Sequence, residues 1–189
     1  MAKVKDNILL KGLSGTIGQT LTLRQIGGET FVSKYQKAPT VAATEKKLAA
    51  RAKFGRATAY ARKAVKDPEV KAIYQVKVKG GQRAFNIAMI DALRAPVIEN
   101  IKADNYHGQP GDQIFIRATD DFKVADVVVS VYNPAGELLE RGNAVIQEIE
   151  EMQWTYISKQ DNPEFSGSKI TAVATDLPGN SSSLSVMVL

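Results

Sequence analysis

From Val97 onward the chain consists of short apolar runs of five to ten residues, and this pattern leaves few folds open. The runs are VIENIKA, QIFIRAT, KVADVVVSVY, ELLER, AVIQEIE, QWTYIS, SKITAVAT and SLSVMVL, with the turn clusters GQPGD, NPAG, DNPEFSG and DLPGNSS among them. A helix needs apolar residues three and four apart over ten or more positions, whereas these segments are too short and too often broken. About seven short strands in about 90 residues predict an all-β domain of two packed sheets. Val127, Val129 and Val131 then point to one side, and Trp154, Tyr156 and Ser158 share a face. Trp154 is the expected large core or rim residue.

The preceding half reads differently. Residues 44–66, TEKKLAARAKFGRATAYARKAVK, place Phe54, Ala57, Tyr60, Ala61, Ala64 and Val65 on one helical face. Arg51, Arg56, Arg62, Lys63 and Lys66 gather on the other. Asp67-Pro68-Glu69 marks a second helix start, with Asp as cap and Pro at the first position. Gly80-Gly81 ends that helix, and a third is predicted from about Gln82 to Leu93. Upstream, QTLTLRQI and ETFVSKYQ alternate around Gly27-Gly28 as a β-hairpin, and Lys37-Ala38-Pro39 turns the chain toward the first helix. The glycines at 12, 15 and 18 fit turns. A phosphate-binding loop would need a Gly-Lys-Ser/Thr ending and a following helix, which LKGLSGTIG lacks.

Charge divides along the same line. Residues 1–96 hold 19 Lys+Arg against 6 Asp+Glu, a net of +13, and residues 97–189 hold 6 against 14, a net of −8. Such asymmetry between halves indicates two domains and makes partner choice an electrostatic matter. The expectation is therefore an α+β chain of two domains. Residues 1–95 form a basic domain with a β-hairpin and three helices, and residues 96–189 an acidic all-β sandwich of immunoglobulin-like type.

Two resemblances bear on this. ATDDFKVADVVVSVYNPAGEL and KITAVATDLPGNSS resemble bacterial immunoglobulin-like domains, which commonly carry an Ala-x-Asp-x-x-Gly-Asn turn before the last strand. Ala174, Asp176, Gly179 and Asn180 match that turn. LKGLSGTIG, the hairpin ending in KAP and the ARAKF helix resemble an uncharacterised family of small basic proteins from Bacteroidetes genomes and mobile elements. The first resemblance implies a fold and no activity. The second brings no catalytic or binding residue with it.

The residue inventory argues against catalysis. The chain has no cysteine, and its one histidine, His107, sits in the loop NYHGQPGD without a Gly-x-Ser-x-Gly nucleophile elbow. Zinc would have to use one histidine and carboxylates, a poor donor set for that ion. Calcium prefers oxygen ligands. Asp104, Asp120, Asp121, Asp176 and Asn180 could gather at one end of the sandwich, although the same residues also serve to form Asx-turns. No catalytic residue, cofactor, metal or small-molecule substrate is expected. Neither a membrane span nor a signal-peptide core is legible, so synthesis is expected to begin in the cytoplasm.

What remains is interaction. The leading expectation is a structural protein that self-associates head-to-tail, with Val4, Ile8 and Leu10 in a segment able to supply or receive a strand. The alternative is nucleic-acid binding, with Arg51, Arg56, Arg62, Lys63 and Lys66 tracking phosphates.

Overall fold

A computed structural model describes residues 1–38, 40, 42–147 and 152–189. The chain is mixed α+β, with three helices and three antiparallel sheets among the described residues. Its contacts divide it into two compact units, Met1–Glu45 and Lys46–Leu189.

The first unit is one four-stranded sheet in the order β1-β4-β3-β2, made of β1 (Ala2–Lys3), β2 (Gly15–Ile17), β3 (Leu21–Ile26) and β4 (Glu29–Lys34). The β3–β4 hairpin pairs Leu21 with Lys34 through to Ile26 with Glu29. It turns at Gly27 and Gly28, whose φ of 59° and 82° explains the glycine pair. The segment after β1 is tied back over one face of the sheet. Gly12 N donates to Thr30 Oγ1 at 2.9 Å, and Gln25 Nε2 donates to Leu13 O at 2.9 Å and to Thr30 Oγ1 at 2.6 Å. Thr30 and Leu23, which lie on the face these bonds cross, are the two buried residues among those described in this unit. Pro39 of the expected Lys37-Ala38-Pro39 turn lies outside the described residues.

The second unit takes in the helices α1 (Glu45–Ala64), α2 (Pro68–Gln75) and α3 (Ala84–Asp91) together with the strands that follow. Helix α1 buries its alanines Ala57, Ala61 and Ala64, while Phe54 is 52% exposed and the five basic residues of the opposite face are all exposed. At the start of α2, Asp67 Oδ1 accepts from Glu69 N at 3.0 Å and from Val70 N at 3.3 Å, with Pro68 in the first turn. The helical core of Ala61, Ala64, Tyr74, Ala84 and Ala88 is completed by Phe122 and Leu177, which come from turns between strands. The Tyr74 and Phe122 ring centroids stand 4.5 Å apart. Aromatic packing of this kind gives the helices a shared core with the β segments.

The eight strands after α3 are β5 (Val97–Lys102), β6 (Gln113–Thr119), β7 (Val124–Tyr132), β8 (Leu138–Asn143), β9 (Val145–Ile146), β10 (Gln153–Ile157), β11 (Lys169–Asp176) and β12 (Ser181–Met187). They form two sheets, β5-β6-β10-β9 and β12-β11-β7-β8. One buried cluster draws on both, with Ile114, Ile116, Trp154 and Tyr156 from the first and Val127, Val129, Val131, Ile170, Ala172 and Ala174 from the second. The strict alternation of β11, where every second residue from Ile170 is buried, is the period-two signature of a half-buried strand. Trp154 lies in this core at 6% exposure. Of the AVIQEIE run, Glu148, Ile149 and Glu150 lie outside the described residues.

Candidate functional site

Where the helices meet the ends of the strands, three carboxylates converge. Asp91 is the last residue of α3, Asp120 follows β6, and Asp176 ends β11. Each places one possible ligand oxygen within 4.8 Å of the others. Helix packing sets Asp91 there. With Ala84 and Ala88 it occupies positions i, i+4 and i+7 of one buried face, and it is 1% exposed.

The fold brings an N–H or O–H donor to one oxygen of Asp91 and one of Asp120; no such donor reaches the other oxygen of each, and the two carboxyls lie close enough to share a hydrogen bond when one holds a proton. Asp91 Oδ2 accepts from the Tyr74 hydroxyl at 2.5 Å, and Asp91 Oδ1 is buried without such a donor. Asp120 Oδ2 accepts from Phe122 N and Lys123 N, both at 3.0 Å, and its Oδ1 is likewise buried without one. Asp176 is held by the turn that follows it. Asn180 N donates to Oδ1 at 2.6 Å and Asn180 Nδ2 to Oδ2 at 2.7 Å. The same Nδ2 lies 3.1 Å from Arg94 O and 3.4 Å from Asp91 O, so the turn is fastened to the end of α3.

The local electrostatics are one-sided. Arg94 pairs with Asp121, outside the cluster. Lys77 Nζ donates to the backbone carbonyls of Asp121 and Phe122 and stands 4.7 Å above the Phe122 ring. Burial, reinforced by the nearby charges of Asp120 and Asp176, pushes the Asp91 carboxyl up to about 7. Burial also raises Asp176, against the hydrogen bonds from Asn180 and Gly179 that lower it. The hydroxyls of Tyr74 and Tyr60, 2.8 Å apart, are both pushed up, chiefly by burial.

Among the expected oxygen ligands, Asp120, Asp176 and Asn180 are brought together. Asp121 instead pairs with Arg94, and Asp104 is exposed in the β5–β6 connection. Asp91 was not anticipated. A signal for it was present, because an acidic residue shares the helical face of Ala84 and Ala88. His107 is exposed, its ring at a T-shaped 6.1 Å from Phe165.

The expected interaction residues fall in both units. Val4 is half-buried and extends the β1–β4 pairing, its N donating to Thr30 O at 2.8 Å. Ile8 and Leu10 sit in a turn organised by Asn7, whose Oδ1 accepts from Leu9 N at 3.0 Å and Leu10 N at 3.2 Å. That turn displays Ile8 at 89% and Leu9 at 79% exposure, with Leu10 half-buried. Arg51, Arg56, Arg62, Lys63 and Lys66 form no ion pair among the described residues. No described helix is long and apolar enough to cross a membrane. No family model matches the chain, and no curated protein matches it either.

Proposed function

We propose that this is a non-enzymatic structural protein that assembles with further copies of itself through the sheet of residues 1–45. One observation carries the reading. Among the described residues the four-stranded sheet buries only Leu23 and Thr30, while Ile8, Leu9, Leu13, Ile17, Leu21 and Ile26 are each 39–89% exposed. Apolar side chains at this density on so thin a sheet favour a covering layer. A second copy is the favoured occupant for two reasons. Strands β1 and β2 are the two edges of the sheet, so β1 of one copy can pair with β2 of the next in a heterologous contact that propagates. Opposite charge along the second unit, 13 Lys+Arg against 3 Asp+Glu in residues 46–96 and 6 against 14 in residues 97–189, can orient neighbouring copies.

The second unit is read as an immunoglobulin-like sandwich that carries the helices. Its support is strand order: β5-β6-β10-β9 and β12-β11-β7-β8 correspond to ABED and GFCC′. Such a sandwich serves as a rigid module in many unrelated proteins, which agrees with a structural role. A second reading, nucleic-acid binding, draws on Arg51, Arg56, Arg62 and Lys63 along α1 and Lys66 just after it, all exposed and without an ion pair among the described residues.

Sedimentation velocity of the full chain at tens of micromolar tests the first reading. Species larger than a monomer are expected for the wild type, and a monomer for the double variant Ile8→Asp, Leu9→Asp. Both substituted side chains already face solvent, so folding should survive, and circular dichroism checks that it does. A wild-type monomer at every salt concentration overturns the proposal, as does unchanged assembly of the double variant.

A further inference from the structure

We propose that Asp91, Asp120 and Asp176 form a binding site for one hard divalent cation, calcium foremost, at the C-terminal end of α3. The inference is independent of self-assembly. It rests on the convergence of three carboxylates within 4.8 Å and on two buried oxygens there, Asp91 Oδ1 and Asp120 Oδ1, that no N–H or O–H donor of the fold reaches and that only a shared proton or a cation can satisfy. Asp91 is 99% buried by its 1% exposure, and its other oxygen is already taken by Tyr74. A buried acceptor without a donor is costly, and several carboxylates this close repel one another. The site therefore lacks positive charge.

The surroundings do not supply it. Arg94 is engaged by Asp121, Lys77 by two backbone carbonyls, and α3 has no basic residue in its last turn. The end of α3 adds the negative pole of its dipole to the three carboxylates. Donor chemistry selects the ion: all three ligands are carboxylate oxygens, which suit calcium, magnesium or manganese and not zinc. The ligands come from a helix end and two strand ends, and this arrangement tolerates the irregular coordination that calcium accepts. Ion binding would lock the turn at Asp176 and the loop at Asp120 onto α3, joining helices and strands by a charge as well as by the Tyr74–Phe122 contact.

Calorimetric titration of the chelator-treated full chain with calcium chloride at neutral pH decides the matter, alongside thermal melts at constant ionic strength. One calcium per chain is expected, with a melting temperature that rises steadily with calcium. Asp120→Asn, which keeps an oxygen for the Phe122 and Lys123 amides, should weaken binding at least about tenfold, since it removes a charged ligand. Asp104→Asn, an exposed carboxylate outside the cluster, should leave binding unchanged. The proposal fails if calcium gives neither heat nor a melting shift up to about 10 mM, beyond the weakest calcium modules. It also fails if Asp120→Asn binds as the wild type does, or if magnesium binds more tightly than calcium. A melting temperature that responds to pH and not to calcium would assign the cluster to a shared proton instead.

Discussion

The Tyr74 hydroxyl donates to Asp91 Oδ2 at 2.5 Å, and this bond links the middle of the helical segment to the carboxylate cluster. Tyr74 is fully buried, so no water can replace it as a donor on that side. Tyr74→Phe keeps the ring against Phe122 and removes only the hydroxyl. The expected loss is about 1–3 kcal/mol, the cost of leaving a buried acceptor unsatisfied. Tyr60→Phe should cost less, because Tyr74 keeps its bond to Asp91 when its Tyr60 contact is gone. Urea melts of the two variants check the ranking, and equal losses would show that the Asp91 bond has no special weight.

Stability of the metal-free chain should fall as pH rises. Folded Asp91 holds its proton to about 7, whereas an unfolded aspartate releases it near about 3.9. Between those values the folded chain binds the extra proton, so the contribution is complete at the acidic end and is lost through the folded value. Asp176, also raised, acts in the same direction. The groups around Asp91 are Asp120, Asp176, Tyr74 and Tyr60, with Arg94 and Lys77 engaged beside them. In chelator, the melting temperature at about pH 5.5 should exceed that at about pH 8, and Asp91→Asn should flatten the slope. A slope that Asp91→Asn leaves intact would place the titrating group elsewhere.

Trp154 is buried between residues of both sheets, so Trp154→Ala should destabilise by about 3–5 kcal/mol. Its indole nitrogen has no hydrogen-bond partner, and Trp154→Phe, which removes that donor while retaining an aromatic ring, should cost less than Trp154→Ala. Denaturant midpoints of both variants give the comparison.

The strands after Val97 were legible because each short run alternates or is uniformly apolar, and the turn residues mark its ends. Val127, Val129 and Val131, all fully buried, follow the period that predicted them. The helices were legible for the same reason, from Asp67-Pro68 and the alanine stripe of α1. Their shared core with the strand turns was not, because Phe122 and Leu177 lie in loops whose packing no periodicity records. The carboxylate cluster was partly legible. Asp120 and Asp176 carry turn chemistry that drew attention to them, whereas Asp91 was read only as part of a helix. Convergence of residues 91, 120 and 176 is a property of tertiary structure, and only the acidic residue on a buried alanine face hinted at it. In the Val4–Leu10 segment, Val4 continues the β1–β4 pairing while the Asn7 side chain holds Leu9 and Leu10 in a turn, a local bond that the apolar pattern does not record.

The basic face of α1 separates the two readings of function through salt. Arg51 and Arg62 are exposed, without an ion pair among the described residues, and eleven residues apart, about 16 Å along one side of the helix. If the face steers copies together, Arg51→Glu with Arg62→Glu should slow assembly, and moderate salt should slow the wild type in the same way. The Debye length of about 8 Å at physiological ionic strength screens such long-range attraction. The final extent of assembly should change little, because β pairing and apolar contact supply most of the affinity once copies meet. Time-resolved light scattering reads the rate, and sedimentation reads the end state. A nucleic-acid role has a different signature. The wild type would bind DNA at low salt with an affinity falling steeply as salt rises, and each phosphate contact removed would flatten that slope by about one unit. DNA binding lost in the double variant, with assembly rate unchanged, would move the basic face from encounter between copies to phosphate recognition.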